Sequence, residues 1–132
     1  MSLWSQPSLF ITEIFLQCTV NVAHEGHVEV ELEVAHEHLN PADTMHGGFT
    51  ATLVNITSAA AVLTSGRTST GRSLDLSISC IGAAREGELI VADSTVQKTT
   101  RNLAFVNTTI YRKDNRAIIA TGQDVRTFLV PA

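Results

Sequence analysis

The sequence predicts an α+β domain of five or six antiparallel strands and one long, largely buried helix. Three observations lead there. The run Phe49 to Ser65 is apolar, no residue from Gly47 to Gly66 is charged, and Phe49, Leu53, Ile56, Ala60 and Leu63 fall on one stripe of a 3.6-residue helix. Val28, Val30, Leu32 and Val34 alternate with His27, Glu29, Glu31 and Glu33, the period of a half-buried strand. The rest of the chain breaks into strand-length runs separated by short polar turns. One helix with many antiparallel strands is an α+β arrangement.

Taken in order, Met1 to Pro7 reads as a loose terminus, and Leu9 to Leu16 as a short helix or the first strand. Phe15 to Ala23 reads as a strand, Glu25-Gly26 as a turn, and the alternating segment as the next strand. Ala35 to Leu39 is a polar connector into an Asn40-Pro41 turn. The helix then runs to Ser65-Gly66-Arg67, a glycine and a cation of the kind that close helix C-termini. Its bulky stripe is expected on the protein's own sheet. Its compact face (Ala51, Val54, Asn55, Ser58, Val62) is expected against a second subunit, because a helix with no charged face is covered on most sides. Ser73 to Ile81 alternates, with Leu74, Leu76, Ile78 and Cys80 on one side and Ser73, Asp75, Ser77 and Ser79 on the other. Gly82 to Gly87 turns the chain. Glu88 to Lys98 and Leu103 to Arg112 are strands joined by a turn at Thr99 to Asn102. A polar tip, Lys113 to Arg116, leads to the closing strand Ala117 to Phe128. No repeat or long linker divides the chain, so residues 1–132 are expected to form a single domain.

Hydrophobic residues make up 44% of the chain and charged residues 17%, which fits a domain with much buried surface. A formal charge of −4 gives no electrostatic basis for binding nucleic acid. Cys18 and Cys80 form no CxxC or Cys/His spacing and read as small buried side chains. His24, His27, His36 and His38 lack metal-ligand spacing and read as solvated, so no metal is expected. No apolar run reaches the roughly 18 residues of a membrane span. Leu9 to Phe15 is interrupted by Glu13 and lacks the flanks of a secretory signal. An intracellular protein, cytoplasmic or mitochondrial, is the expectation.

The chemistry-bearing stretch is Asn40-Pro41-Ala42-Asp43-Thr44-Met45-His46-Gly47-Gly48, directly before the helix. The first turn of a helix carries unpaired N–H groups and a partial positive charge. Gly47 and Gly48 place no side chain in the way, so a carbonyl oxygen or an anion can approach those donors. The Asn-Pro turn, a His-Gly-Gly six residues after the Asn, and the uncharged helix together resemble the hotdog-fold acyl-CoA thioesterases. The resemblance is to the small single-domain branch of the phenylacetate-pathway thioesterases and thioesterase superfamily member 2. Arg72-Ser73-Leu74-Asp75-Leu76, Gly87-Glu88-Leu89-Ile90-Val91, Leu103-Ala104-Phe105 and Ala120-Thr121-Gly122 extend it from about Val28 to Thr127.

This resemblance implies a hotdog sheet around the helix and a homodimer with a continuous sheet, usually paired into a homotetramer. It implies hydrolysis of acyl-CoA in lipid metabolism without a cofactor, coenzyme A being part of the substrate. Gly47 would give its N–H to the thioester carbonyl, Asn40 and His46 would build the turn, and Ser73 would place the water or substrate. The parts of the site would come from two subunits. The family carries an acid–base carboxylate in mid-helix, at the position of Asn55, and an amide can hold a water but cannot take its proton. Asp43 is a candidate substitute base, but reads first as a turn residue bonding its own backbone. For the CoA end, Gly48, Arg85, Lys98, Thr99, Thr100 and Arg101 match, with Thr100 standing where that turn commonly has glycine. Three functions stay open: an acyl-CoA thioesterase slowed by Asn55, an acyl-CoA binding protein whose chemistry is lost, and, more weakly, a hydratase of enoyl thioesters. The hydratase needs an Asp/His pair, and none stands at family spacing.

Overall fold

The computed structural model describes residues 17–129, so the expectations for Met1 to Leu16 lie outside the described residues. The elements are β1 (Thr19–His24), β2 (His27–Glu33), a 3-10 turn (His36–His38), α1 (Gly47–Thr64), β3 (Arg72–Cys80), β4 (Leu89–Thr99), β5 (Leu103–Arg112) and β6 (Ile118–Thr127). The strands form one antiparallel sheet ordered β1-β2-β4-β5-β6-β3, with β1 and β3 at its edges. The α+β architecture is the expected one. Helix α1 lies on the face where Val28, Val30, Ala92, Val106 and Ile110 are buried. Each fully buried valine or isoleucine contributes roughly 1.5–3 kcal/mol, and this face is the core.

The helix is rotated from the expected orientation. Leu53 and Ile56 of the bulky stripe are buried, but Ala60 is half-buried and Leu63 exposed. Val54, Ser58 and Val62, from the compact face, are fully buried on the protein's own sheet. Close approach is the cause. A Cβ at Gly122 on β6 would lie 2.9 Å from Val54 Cγ1 and 3.0 Å from Ile78 Cδ1. Small side chains let helix and strand come together, and interior packing leaves no gap for bulkier ones. Asn55 and Ala51 sit half-buried at the border of this contact. By length and apolar composition alone α1 could span a membrane, against the expectation, yet its inner face is buried as in a core helix.

Three hydroxyls form a polar seam under α1. Ser94 Oγ donates to Thr57 Oγ1 at 2.9 Å and lies 2.7 Å from Thr108 Oγ1. Thr57 Oγ1 donates onward to the Leu53 carbonyl at 2.9 Å. Buried hydroxyls from the helix, β4 and β5 satisfy one another, which removes the cost of burying them alone.

β3 also departs from simple alternation. Ser73 pairs with Arg126 and Asp75 with Val125, so Leu74 is the extra residue of a β-bulge. Past the bulge, Leu76 and Ile78 pack on the core as expected. Before it, Ser73 takes the helix-facing side and Leu74 is 63% exposed. A bulge re-aims side chains in this way. Cys80 is exposed rather than buried, and Cys18 is half-buried, where burial pushes its thiol up to about 11.

His38, expected to be solvated, is 4% exposed. Its Nδ1 accepts the Ala35 N–H at 2.9 Å, which leaves Nε2–H to donate to Gln17 Oε1 at 2.9 Å. The ring stacks on Phe49 with centroids 4.1 Å apart. Burial pushes its pKa below the ordinary 6.5, outweighing the nearby Glu37. The folded state therefore favours the neutral ring. Its contribution is complete above the ordinary value and is lost as pH falls through 6.5 toward the lower folded value.

Two predictions follow from this packing. Gly122→Val should overpack the contact with Val54 and destabilise the fold by about 1–3 kcal/mol. Urea unfolding with an unshifted midpoint would disprove the close approach. Thermal melts from pH 7.5 to 5 should show wild type losing more stability than His38→Asn, whose Oδ1 replaces Nδ1 without titrating. Parallel pH profiles for the two proteins would remove His38 from the account.

Candidate active site

The turn before α1 is built from its own side chains. Asn40 Oδ1 accepts the N–H of Ala42 at 2.9 Å and of Thr44 at 3.2 Å, and Nδ2 donates to Thr44 Oγ1 at 3.0 Å. Asn40 thus uses its amide inside the loop and shapes the site. Asp43 holds φ +64° at the exposed tip, a left-handed conformation that Asp tolerates in turns. His46 is the N-cap of α1, its Nδ1 accepting the Gly48 N–H at 2.8 Å. That bond requires an unprotonated Nδ1.

The two glycines consequently differ. The Gly48 N–H is already engaged, and a Cβ there would press on the His46 ring at 3.1 Å. Gly47 is exposed, and a Cβ there would meet nothing within 4 Å. Its N–H is an orphan donor of the first helical turn, at the positive end of the dipole.

The bulge in β3 brings Ser73 to Asn55, where Ser73 Oγ donates to Asn55 Oδ1 at 3.2 Å. Two further residues, absent from the sequence reading, complete this cluster. Arg126 Nη1 lies 2.8 Å from Asn55 Oδ1, 3.1 Å from Ser73 Oγ and 2.7 Å from Asp124 Oδ2. Arg126 Nε donates to the Thr70 carbonyl at 2.7 Å and Nη2 to the Gly71 carbonyl at 3.3 Å. Asp124 is 0% exposed and Arg126 5%. Asp124 Oδ1 meets no donor among the described residues. The available signal was two opposite charges two apart on the strand face that also carries Gly122. Charged residues are rarely buried unless paired.

The CoA candidates separate into two groups. Arg85 follows Ala84, whose carbonyl accepts the Met45 N–H at 2.7 Å, so it sits near the Gly47 turn before β4 begins. Lys98, Thr99, Thr100 and Arg101 lie at the far end of β4, roughly 30 Å away at 3.3 Å per residue. There the Arg67 guanidinium donates to the Thr100 and Arg101 carbonyls, and Thr100 Oγ1 accepts the Leu103 N–H at 3.1 Å. All five basic or hydroxyl candidates are exposed. On the outer sheet face, His27, Glu29 and Asp93 place one ligand atom each within 4.8 Å of one another, a grouping their sequence spacing hid. His27 Nε2 is hydrogen-bonded to Asp93 Oδ1 there at 2.7 Å.

Comparison with known proteins adds one family match and three similar proteins. Residues 42–119 match the model of the Thioesterase superfamily. The chain is 37% identical over 108 residues to "Acyl-coenzyme A thioesterase 13" of Homo sapiens, covering 82% of this chain and 77% of that protein. Its fold superposes on zebrafish thioesterase superfamily member 2 with a TM-score of 0.86 at 35% identity, covering 89% of this chain and 85% of that one. A hypothetical thioesterase of Streptococcus pneumoniae, solved with coenzyme A, shares the fold with a TM-score of 0.83 at 20% identity, covering 90% and 91%.

Proposed function

Since this chain belongs to the thioesterase superfamily, with its hotdog fold, we propose that it hydrolyses an acyl-CoA thioester to the free acid and CoA. The observation that carries this reading is Gly47, an exposed glycine at the start of an uncharged helix, whose N–H no described residue engages and where a Cβ would meet nothing within 4 Å. Such a donor polarises a thioester carbonyl and stabilises the oxyanion that forms when water adds to it. The C–S bond then breaks, and CoA leaves as a thiolate that takes up a proton. The likeness to human acyl-coenzyme A thioesterase 13 supports acyl-CoA as the substrate class.

The site is proposed to need two protomers. Asn55 lies eight residues after Gly47, about 12 Å along the helix axis, too far for both to reach one carbonyl. Gly47 of one protomer, with Asn40 and His46 holding its turn, would face Asn55 and Ser73 of the next. β3, an edge strand with Leu74 and Ile81 exposed near its ends, supports a homodimer joined there, pairing further into a homotetramer. Across such an interface the separated Arg85 and Lys98–Arg101 groups need not come from one chain, and either offers donors for CoA phosphates.

Hydrolysis is proposed to be slow. Loss of a general base costs about 10²- to 10⁴-fold, and Asn55 Oδ1 is already engaged by Arg126 and Ser73. That same engagement favours a second reading, an acyl-CoA binding protein without turnover. A hydrolysis assay over a panel of acyl-CoAs beside calorimetric binding separates the two. Slow turnover supports the thioesterase, binding alone supports the second reading, and neither rejects both.

Two outcomes are expected at this level. Sedimentation at micromolar concentration should show a dimer or tetramer, and a stable monomer would contradict a shared site. Gly47→Val should lower turnover or binding at least tenfold, comparable to losing about 1.4 kcal/mol of interaction, while the oligomer persists. Wild-type behaviour in both assays would move the binding point away from the helix start.

A further inference from the structure

We propose that Asn55 serves the acyl-thioester site as a hydrogen-bond donor, oriented by Arg126 as a positioning residue with Asp124 as its counter-charge. This deepens the thioesterase reading and rests on it. The oxygen of an amide has two lone pairs. In Asn55 both are engaged, one by Arg126 Nη1 at 2.8 Å and one by Ser73 Oγ at 3.2 Å. A guanidinium carries only donors, so it also fixes which end of the amide faces it. Nδ2 makes no hydrogen bond among the described residues, and its two N–H groups are what Asn55 has left to offer. They suit an oxygen acceptor: the thioester carbonyl, its oxyanion, or the carboxylate of the released acid.

The pair beneath Asn55 is poorly explained by stability alone. Buried ion pairs are often no better than apolar packing of the same volume. Here one carboxylate oxygen is also left without a donor, a cost rather than a gain. Arg126 instead ties the site's elements together: Thr70 and Gly71 before β3, Ser73 at the bulge, Asn55 on the helix and Asp124 on its own strand. Nη1 has two hydrogens for three acceptors within 3.1 Å. Only a planar, permanently charged group with five donors meets most of these demands at once.

The test is side-chain amide NMR on the perdeuterated, ¹⁵N-labelled protein. The Asn55 NH₂ signals are assigned by their absence in Asn55→Asp. The probe is a 2-oxoalkyl-CoA thioether, which keeps a carbonyl but has no thioester to cleave, in a short-chain and a long-chain form. Binding should move both the Gly47 amide and the Asn55 NH₂ signals. Arg126→Lys keeps a cation beside Asp124 but not the fork, so the Asn55 signals should lose their shift and probe affinity should fall up to about tenfold, the worth of one hydrogen bond. Arg126→Met tests the same point without the charge. A Gly47 response with unmoved Asn55 NH₂ signals overturns the inference, as does an Arg126→Lys protein whose Asn55 signals shift as in wild type. If no signal moves with either probe, the acyl-CoA reading itself fails, and the inference with it.

Discussion

The structure depends on one contact, the uncharged helix α1 pressed against the sheet where Gly122 leaves room for Val54. With Val54, Ser58 and Val62 turned inward, the helix has one permitted rotation, and interior packing density enforces it. That rotation puts Asn55 at the border between core and surface, within reach of β3 and β6. It also directs the helix start outward, so that Gly47 is exposed while the adjoining chain is braced by the stacking of His38 on Phe49. The hydroxyl seam of Thr57, Ser94 and Thr108 belongs to the same contact, since only complementary hydroxyls can be buried so close to the helix backbone at little cost.

Around this contact the site divides by the kind of interaction that holds it. The helix start is a local device. Asn40 closes a loop on Ala42 and Thr44, and His46 caps on Gly48, all within four residues in sequence. The mid-helix cluster is the opposite, a meeting of four segments around one guanidinium. Its carboxylate, Asp124, is on a strand and bound to Arg126 instead of standing on the helix. The charge at this point is a neutralised pair, and the helix contributes an amide.

Lengths then limit what a single chain can do. Helix rise separates Gly47 from Asn55, and strand rise separates Arg85 from Lys98–Arg101. No side chain spans either distance. The helix and β4 set these separations, since β4 pairs with β2 and β5 on its two sides and packs against the helix.

The sequence by itself determined the elements and the local turn chemistry. The 3.6-residue and two-residue periods set the α+β class, since each period reflects which side chains share a face. The Asn40 to Gly48 turn was legible because caps and turns act over a few residues, and the resemblance it carries was matched by the family comparison. The tertiary structure alone decided the rest. The periodicity marked a bulky and a compact stripe but not that residues of both would be buried on the sheet, because that depends on Gly122, far along the chain. The bulge at Leu74 comes from pairing with β6 and reverses the faces of Ser73 and Leu74. His38 was buried by a stacking partner and by Gln17, neither visible in its polar neighbourhood. Arg126 reaches Asn55 across 71 residues and Ser73 across 53. Local periodicity carries no record of such contacts, which exist only once strand order and helix rotation are fixed together.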